Sequence, residues 1–336
     1  VKILNEKKTH LEGVTLMRSF FVSKLRKVMV MKKVLAIVGP TAIGKTNLAI
    51  DLAKRLNGEI ISGDSMQVYQ EVAVGTAKAT AEEQAQVKHY LVDTQSVFDE
   101  YSVKDFVDQA TKAIEEISQK GKLPIIAGGT GFYVNALLNK MQLGEKTPEE
   151  RSVSQKWENY LKEKGAEKLW QVLNEQDPKA AEKIPVANSR RTMRALTVIE
   201  RTGKKFSEQQ KQIEPRYDYL IIGLNSDRQE IYRRINLRVD KMMEQGMLDE
   251  AKFIYQNRAR EYQVLQAIAY KEFFPYFEEQ ETLEHCIEDL KTASRRYAKR
   301  QLTYFRNKLP VVWFDPLDDS GCEQKILKKV KEWKNE

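Results

Sequence analysis

The run Gly39-Pro40-Thr41-Ala42-Ile43-Gly44-Lys45-Thr46 has the residue types and spacing to hold phosphate. It fits G-x-x-x-x-G-K-Ser/Thr, a glycine loop whose backbone N–H groups converge on one anion. Gly39 and Gly44 permit the tight turn, and the start of the next helix adds its positive dipole end. Lys45 reaches phosphate oxygens, and the Thr46 hydroxyl can ligate magnesium. The pattern specifies phosphate without saying whose. Many such proteins also carry an apolar run ending in Asp. Here the candidates are YLVD, ending at Asp93, and IISGD, ending at Asp64, and neither is a clean example.

The loop works only between a strand and a helix, and the flanking sequence supplies both. Residues 34–38 (VLAIV) form a short, uninterrupted apolar run, as expected of a strand buried on both faces. NLAIDLAKRL follows with helical apolar spacing. Further strands are expected at Ile60-Ile61, residues 90–94 (YLVDT), 123–127 (LPIIA), 219–224 (YLIIGL) and 311–315 (VVWFD), with a helix over 103–119. Strands alternating with helices imply crossover units and a parallel sheet. From about 142 to 215 only helical periodicity is seen, as in WENYLKEKGAEKLWQVL. The expected fold is α/β, a P-loop parallel sheet flanked by helices, with an all-helical insertion domain. Residues 31–141 and 216–336 would form the core and 142–215 the insertion. Residues 1–30 read as an extension outside the fold, because Met31 opens MKKVLAIVGP like a natural start.

In such a sheet, ligands sit at the carboxyl ends of the strands. Asp64-Ser65-Met66-Gln67 follows the second strand and Gly128-Gly129-Thr130 follows the strand at 123–127. Both should face the phosphate loop. Asp64 is then a general base or an outer partner of magnesium. The plainer alternative is that it caps a turn.

Composition bounds the partners. The chain has 336 residues, 41% hydrophobic and 31% charged, which excludes a collagen-like fibre, a largely disordered chain and a membrane protein. Two cysteines make no disulfide framework, and with three histidines they speak against structural zinc, so a reducing cytoplasm is expected. The net charge of +8 invites polyanions. It is concentrated in two runs. One holds Lys183, Arg190, Arg191, Arg194, Arg201, Lys204 and Lys205. The other holds Lys291, Arg295, Arg296, Lys299, Arg300, Arg306 and Lys308. A charge run is usually a solvated helix face. Two of one sign favour a nucleic-acid surface. Arg234 and Arg238, spaced i, i+4, could clamp a phosphate or pair with Glu230 and Asp240.

The ordered set of GPTAIGKT, GDSMQVYQEVAVGTAKAT, HYLVD, YSVKDF, IIAGGTGFYVNALL, DPKAAEKIPVANSRRTMRALTVIERTG, DRQEIYRRINLRVDKMMEQGMLDEA, QAIAYKE and SRRYAKRQLTYFRN resembles the bacterial tRNA dimethylallyltransferases (tRNA isopentenyltransferases). The resemblance runs from about residue 33 to 314. It implies transfer of a dimethylallyl group from its diphosphate to the exocyclic amine of the adenosine just 3′ of the anticodon, in tRNAs reading codons that begin with U. By carry-over the P-loop holds the diphosphate, with Lys45, Thr46 and magnesium stabilising its charge. Asp64 is the base, Thr130 places the amine, and Asp64, Ser65, Met66 and Gln67 meet the adenine. Arg190, Arg191, Thr192, Met193 and Arg194 meet the anticodon arm. So do Lys271 and the basic residues Arg295, Arg296, Lys299 and Arg300. Arg234 and Arg238 add to the diphosphate site. No membrane contact or obligate protein partner is implied, and a monomer is expected. The sequence departs from the family pattern at Ala269 (usually glycine), Tyr90 (usually histidine), Arg190 (usually glutamine) and Thr192 (usually aliphatic).

Two other readings compete. A small-molecule or nucleoside kinase would use the same loop and magnesium for ATP, but has no need of the basic runs. A non-catalytic RNA-binding protein would need neither Lys45 nor Asp64.

Overall fold

The computed structural model describes residues 31–141, 143, 147–208, 214–260 and 262–336. The expected extension at 1–30 lies outside them. Six parallel strands form one sheet in the order β3-β2-β4-β1-β5-β6. They are β1 (Lys33–Val38), β2 (Gly58–Ser62), β3 (His89–Tyr90), β4 (Leu123–Gly128), β5 (Asp218–Leu224) and β6 (Val312–Phe314). From β1 the sheet extends one way through β4, β2 and β3 and the other way through β5 and β6, which opens a crevice at the carboxyl end of β1.

Side-chain alternation along β1 feeds two cores. Val34, Ala36 and Val38 pack with Phe106 and Ile114 of α3 (Val103–Gln119) and Val134 and Leu137 of α4 (Gly131–Leu138). Leu35 and Ile37 pack on the other face with Leu48 and Leu52 of α1 (Lys45–Leu56) and Ile326 and Val330 of α12 (Cys322–Asn335). Both faces are covered, which is why the strand reads as a continuous apolar run. The helix expected over 103–119 is α3, and Ser102 and Asp105 cap it reciprocally. Between α1 and α3 lies the short α2 (Ala81–Gln86).

Two readings need correction. The strand expected at 90–94 ends at Tyr90, because Leu91 (φ 60°) and Asp93 (φ 55°) turn the backbone into the left-handed region. The continuous helical periodicity around Gly165 is broken. α5 (Pro148–Gln176) changes direction there, at φ 81° and ψ 171°. The two arms of α5 pack with α6 (Pro178–Ala181) and α7 (Ser189–Thr202) around a separate apolar cluster of Trp157, Leu169, Leu173, Ile184, Ala195 and Leu196.

After β5 the chain forms α8 (Arg228–Glu244), α9 (Met247–Gln256), the short α10 (Phe274–Phe277) and the long α11 (Leu283–Lys308). Among the described residues no helix is long and apolar enough to cross a membrane.

Candidate active site

The P-loop sits where the sequence placed it, between β1 and α1. Gly44 caps α1 at φ 104°, and a Cβ on Gly39 would lie 2.5 Å from the Leu224 carbonyl oxygen. Neither position tolerates a side chain without strain. Ala42 also takes a left-handed conformation, φ 65°. Its carbonyl accepts a hydrogen bond from Arg234 Nε at 2.9 Å, which helps to hold the turn. Arg238, one turn further along α8, donates to Thr41 Oγ1 at 3.3 Å. The i, i+4 arginines thus both face the phosphate loop, and neither forms the suggested pair with Glu230 or Asp240.

Asp64 and Thr130 face the same space. Asp64 Oδ1 accepts the Met66 N–H at 2.9 Å, so it does close an Asx turn. Its carboxylate also lines the cavity with Lys45, so capping the turn does not take it out of the site. Thr130 Oγ1 accepts the Ser65 N–H at 3.1 Å, tying the β4 loop to the β2 loop. Gln67 also lines the cavity, its amide accepting from Ser62 Oγ at 2.8 Å and donating to the Thr76 and Ala77 carbonyls. Together with α8, α11 and the loops at 73–81 and 266–269, these segments enclose a cavity of about 1010 Å³.

The electrostatics are those of partly buried charges gathered around one cavity. Burial lowers the Lys45 ammonium to a pKa of about 7; Arg238 adds to the fall and Asp64 opposes it. Burial raises Asp64 above the usual carboxylate range, against the Met66 N–H and the cations Lys45 and Arg238. Burial likewise lowers Arg238. Lys45 donates to the Pro40 carbonyl at 2.7 Å. A bound polyanion would favour the charged form of Lys45.

Three partners of this site have no sequence signature. Gln301 on α11 is buried, accepting the Thr41 N–H and donating to the Gly129 carbonyl, each at 3.0 Å. Tyr297, one turn earlier, shares hydrogen bonds with Thr130 and Gln301. Glu250 on α9 accepts the N–H groups of Ala73, Val74 and Gly75 at 2.7–2.9 Å and the Tyr270 hydroxyl at 2.9 Å. It thereby shapes one wall of the cavity. On α11 a helical wheel would bury Leu302; the structure buries Gln301 and leaves Leu302 half-buried.

Ala269 lines the cavity at φ 95°, where L-residues are strained. Its N–H is held by Glu272 at 3.0 Å. Ala269→Gly should therefore stabilise the fold by about 1 kcal/mol, the left-handed cost less the entropy of glycine. Thermal unfolding checks this; an unchanged or lower Tm would show that the strain is relieved some other way.

The basic residues divide. Arg296, Lys299, Arg300 and Lys271 are exposed, and Arg300 reaches the cavity mouth. Arg295 is tied down, donating to Asn236 at 2.6 Å and Thr292 at 2.8 Å. In the helical module Arg191 is exposed, and Arg190 reaches across to Gln266, on the cavity wall, at 2.6 Å. Arg194 pairs with Glu150, which also holds Arg201. At two positions of the carry-over the side chains face into the module. Thr192 is fully buried, its hydroxyl donating to the Asn188 carbonyl, and Met193 packs into the module's apolar cluster. Alternate helix faces cannot all meet one surface.

Comparison with known proteins converges on one group. The family model described as IPP transferase matches residues 67–308. A tRNA dimethylallyltransferase of Lactobacillus acidophilus is 80% identical over 305 residues, covering 91% of this chain and all of the relative. The solved tRNA isopentenylpyrophosphate transferase of Bacillus halodurans is 45% identical, with a TM-score of 0.68 over 90% of this chain and 96% of that one. A eukaryotic dimethylallyltransferase, described as acting on tRNA, is 31% identical with a TM-score of 0.77, covering 90% of this chain and 80% of that one. A glycine loop facing a buried carboxylate, on a chain this similar along most of its length, places the protein in the IPP transferase family.

Proposed function

We propose that the protein transfers a dimethylallyl group from dimethylallyl diphosphate to the exocyclic amine of the adenosine just 3′ of the anticodon, in tRNAs that read codons beginning with U. The observation that carries this reading is the presence of Asp64 in one cavity with Lys45 and Arg238. The reaction needs both functions at once. The amine nitrogen bonds to the allylic carbon, the carbon–oxygen bond to diphosphate breaks, and the amine loses a proton. An aromatic amine is a weak nucleophile, so alignment and leaving-group stabilisation carry most of the acceleration. Lys45, Arg238, Arg234 and the loop N–H groups hold the departing diphosphate. Asp64 accepts the proton, and Thr130, anchored by Ser65, orients the amine.

The cavity also suits magnesium. The Thr46 hydroxyl is a hard oxygen donor lining the cavity, with Asp64 as an outer partner through water, as expected for an ion that takes few protein ligands and completes its shell with phosphate oxygens and water. When bound, it would neutralise charge on the diphosphate.

The adenine has to leave its stack to reach Asp64. Exposed Arg191, Arg296, Lys299 and Arg300 are placed to hold the RNA backbone while it does so. Arg191→Ala should weaken tRNA binding about uniformly across sequences and flatten its salt slope by about one unit. Arg194→Ala should instead lower Tm, because it strips Glu150 of a partner. Filter binding across salt concentrations separates the two; equal salt slopes for wild type and Arg191→Ala would make that arginine a solvated bystander.

The test of the function is transfer of radiolabelled dimethylallyl diphosphate to an unmodified tRNA with a run of adenines 3′ of its anticodon, with and without magnesium. Label on that adenosine is the expected result. Absence of label, with ATP consumed in the presence of a small acceptor, would restore the kinase.

A further inference from the structure

We propose that Gln301, supported by Tyr297, is a positioning residue that sets the separation between the diphosphate loop and the loop carrying Thr130. This deepens the function proposed above and rests on it. β1 and β4 are neighbours, paired as far as Val38 and Gly128, and beyond them the two loops leave the ladder. The Gln301 side chain spans the gap. Its Oε1 accepts the Thr41 N–H and its Nε2 donates to the Gly129 carbonyl, each at 3.0 Å. The side chain is only 5% exposed, so neither bond competes with water. A Cβ on Gly129 would lie 2.1 Å from Nε2, so the amide fills the space between the loops completely.

The consequence for chemistry is geometric. Thr41 belongs to the anion cradle, and its N–H is taken by Gln301, so this amide serves as a strut and the N–H groups at the start of α1 are left for phosphate. Gly129 immediately precedes Thr130, whose hydroxyl meets both Ser65 and Tyr297. The leaving group is held on one loop and the amine is placed by the other. Their separation sets how closely the amine approaches the allylic carbon, and a misplacement of about 1 Å costs roughly 10²-fold in rate. Only a side chain that accepts at one end and donates at the other satisfies both loops. The outer face of α11 at this level carries Arg296, Lys299 and Arg300. The helix expected to grip RNA therefore also fixes both substrate loops.

The test compares Gln301→Ala, Gln301→Glu and Tyr297→Phe with wild type. Gln301→Ala should lower kcat about 10²-fold and raise the KM for dimethylallyl diphosphate, while the Kd for tRNA stays constant. Gln301→Glu should recover activity relative to wild type as pH falls, because a protonated carboxyl again accepts from Thr41 and donates to Gly129. Tyr297→Phe keeps the ring packed and should lower kcat with little change in Tm, so it reads the network if Gln301→Ala does not fold. Calorimetric binding of inorganic diphosphate supplies a readout free of transfer, and Gln301→Ala should weaken it about tenfold. A wild-type protein that binds diphosphate but transfers nothing would overturn the function and leave the strut standing. Variants whose folded fraction keeps wild-type kcat and diphosphate affinity would overturn the strut.

Discussion

Asp64→Asn should lower the single-turnover rate of dimethylallyl transfer by about 10²–10⁴-fold, the range supplied by a positioned general base. Asparagine still offers an oxygen to the Met66 N–H, so the Asx turn at 2.9 Å survives and the loss reports proton acceptance alone. Affinity for tRNA should not change. The pH profile carries the second half of the prediction. Burial holds Asp64 above the ordinary carboxylate range, so the wild-type rate should fall as pH drops through that raised value. The acidic limb should therefore lie higher than a free aspartate would put it. The variant should lack that limb. Full turnover by Asp64→Asn would make the residue a turn cap and nothing more.

Lys45→Met should reduce transfer by about 10²–10³-fold, as removal of a preorganised charge from a developing anion does elsewhere. The same substitution should raise Tm. The folded pKa of Lys45 is about 7 against an ordinary 10.5, so the unfolded chain binds more protons over that interval. The penalty for burying the ammonium is complete below about pH 7 and fades as pH climbs toward 10.5. The stabilisation in the variant should follow the same course, largest at neutral and acid pH. Diphosphate binding to wild type should also take up a proton above about pH 7, as the anion restores the ammonium. Calorimetry in buffers of different ionisation enthalpy reads that uptake. A Lys45→Met protein with lower Tm and no loss of proton uptake would contradict the electrostatic account.

What the sequence disclosed was local. VLAIV, GPTAIGKT, DSMQ and GGTG each declare themselves within a few residues, since a doubly buried strand and a glycine loop need specific neighbours. The convergence of Asp64 and Thr130 on the cradle then followed from the rule that loops at strand carboxyl ends share a face. Gln301 was invisible for the opposite reason. Within SRRYAKRQLTYFRN a glutamine reads as one more solvated polar residue, and a helical wheel assigns the buried place to Leu302. Its partners are Thr41 and Gly129, both far along the chain. Glu250 was hidden likewise in GMLDEA, where it resembles helix solvation until its contacts with residues 73–75 are seen. Thr192 shows the converse, a motif position whose side chain the helix turns inward.

The span of those contacts has a consequence for how the protein is made. Arg234 meets Ala42 across 192 positions, Glu250 meets Gly75 across 175, and Gln301 meets Thr41 across 260. On the ribosome the N-terminal half emerges first, complete in its loop motif and without the helices that brace it. Loop-closure entropy must be met before any of these distant bonds forms. A nascent chain lacking α11 therefore carries Lys45 and Asp64 on unbraced loops. The cavity is braced only near the end of synthesis, so an incomplete chain lacks the arrangement that acts on tRNA.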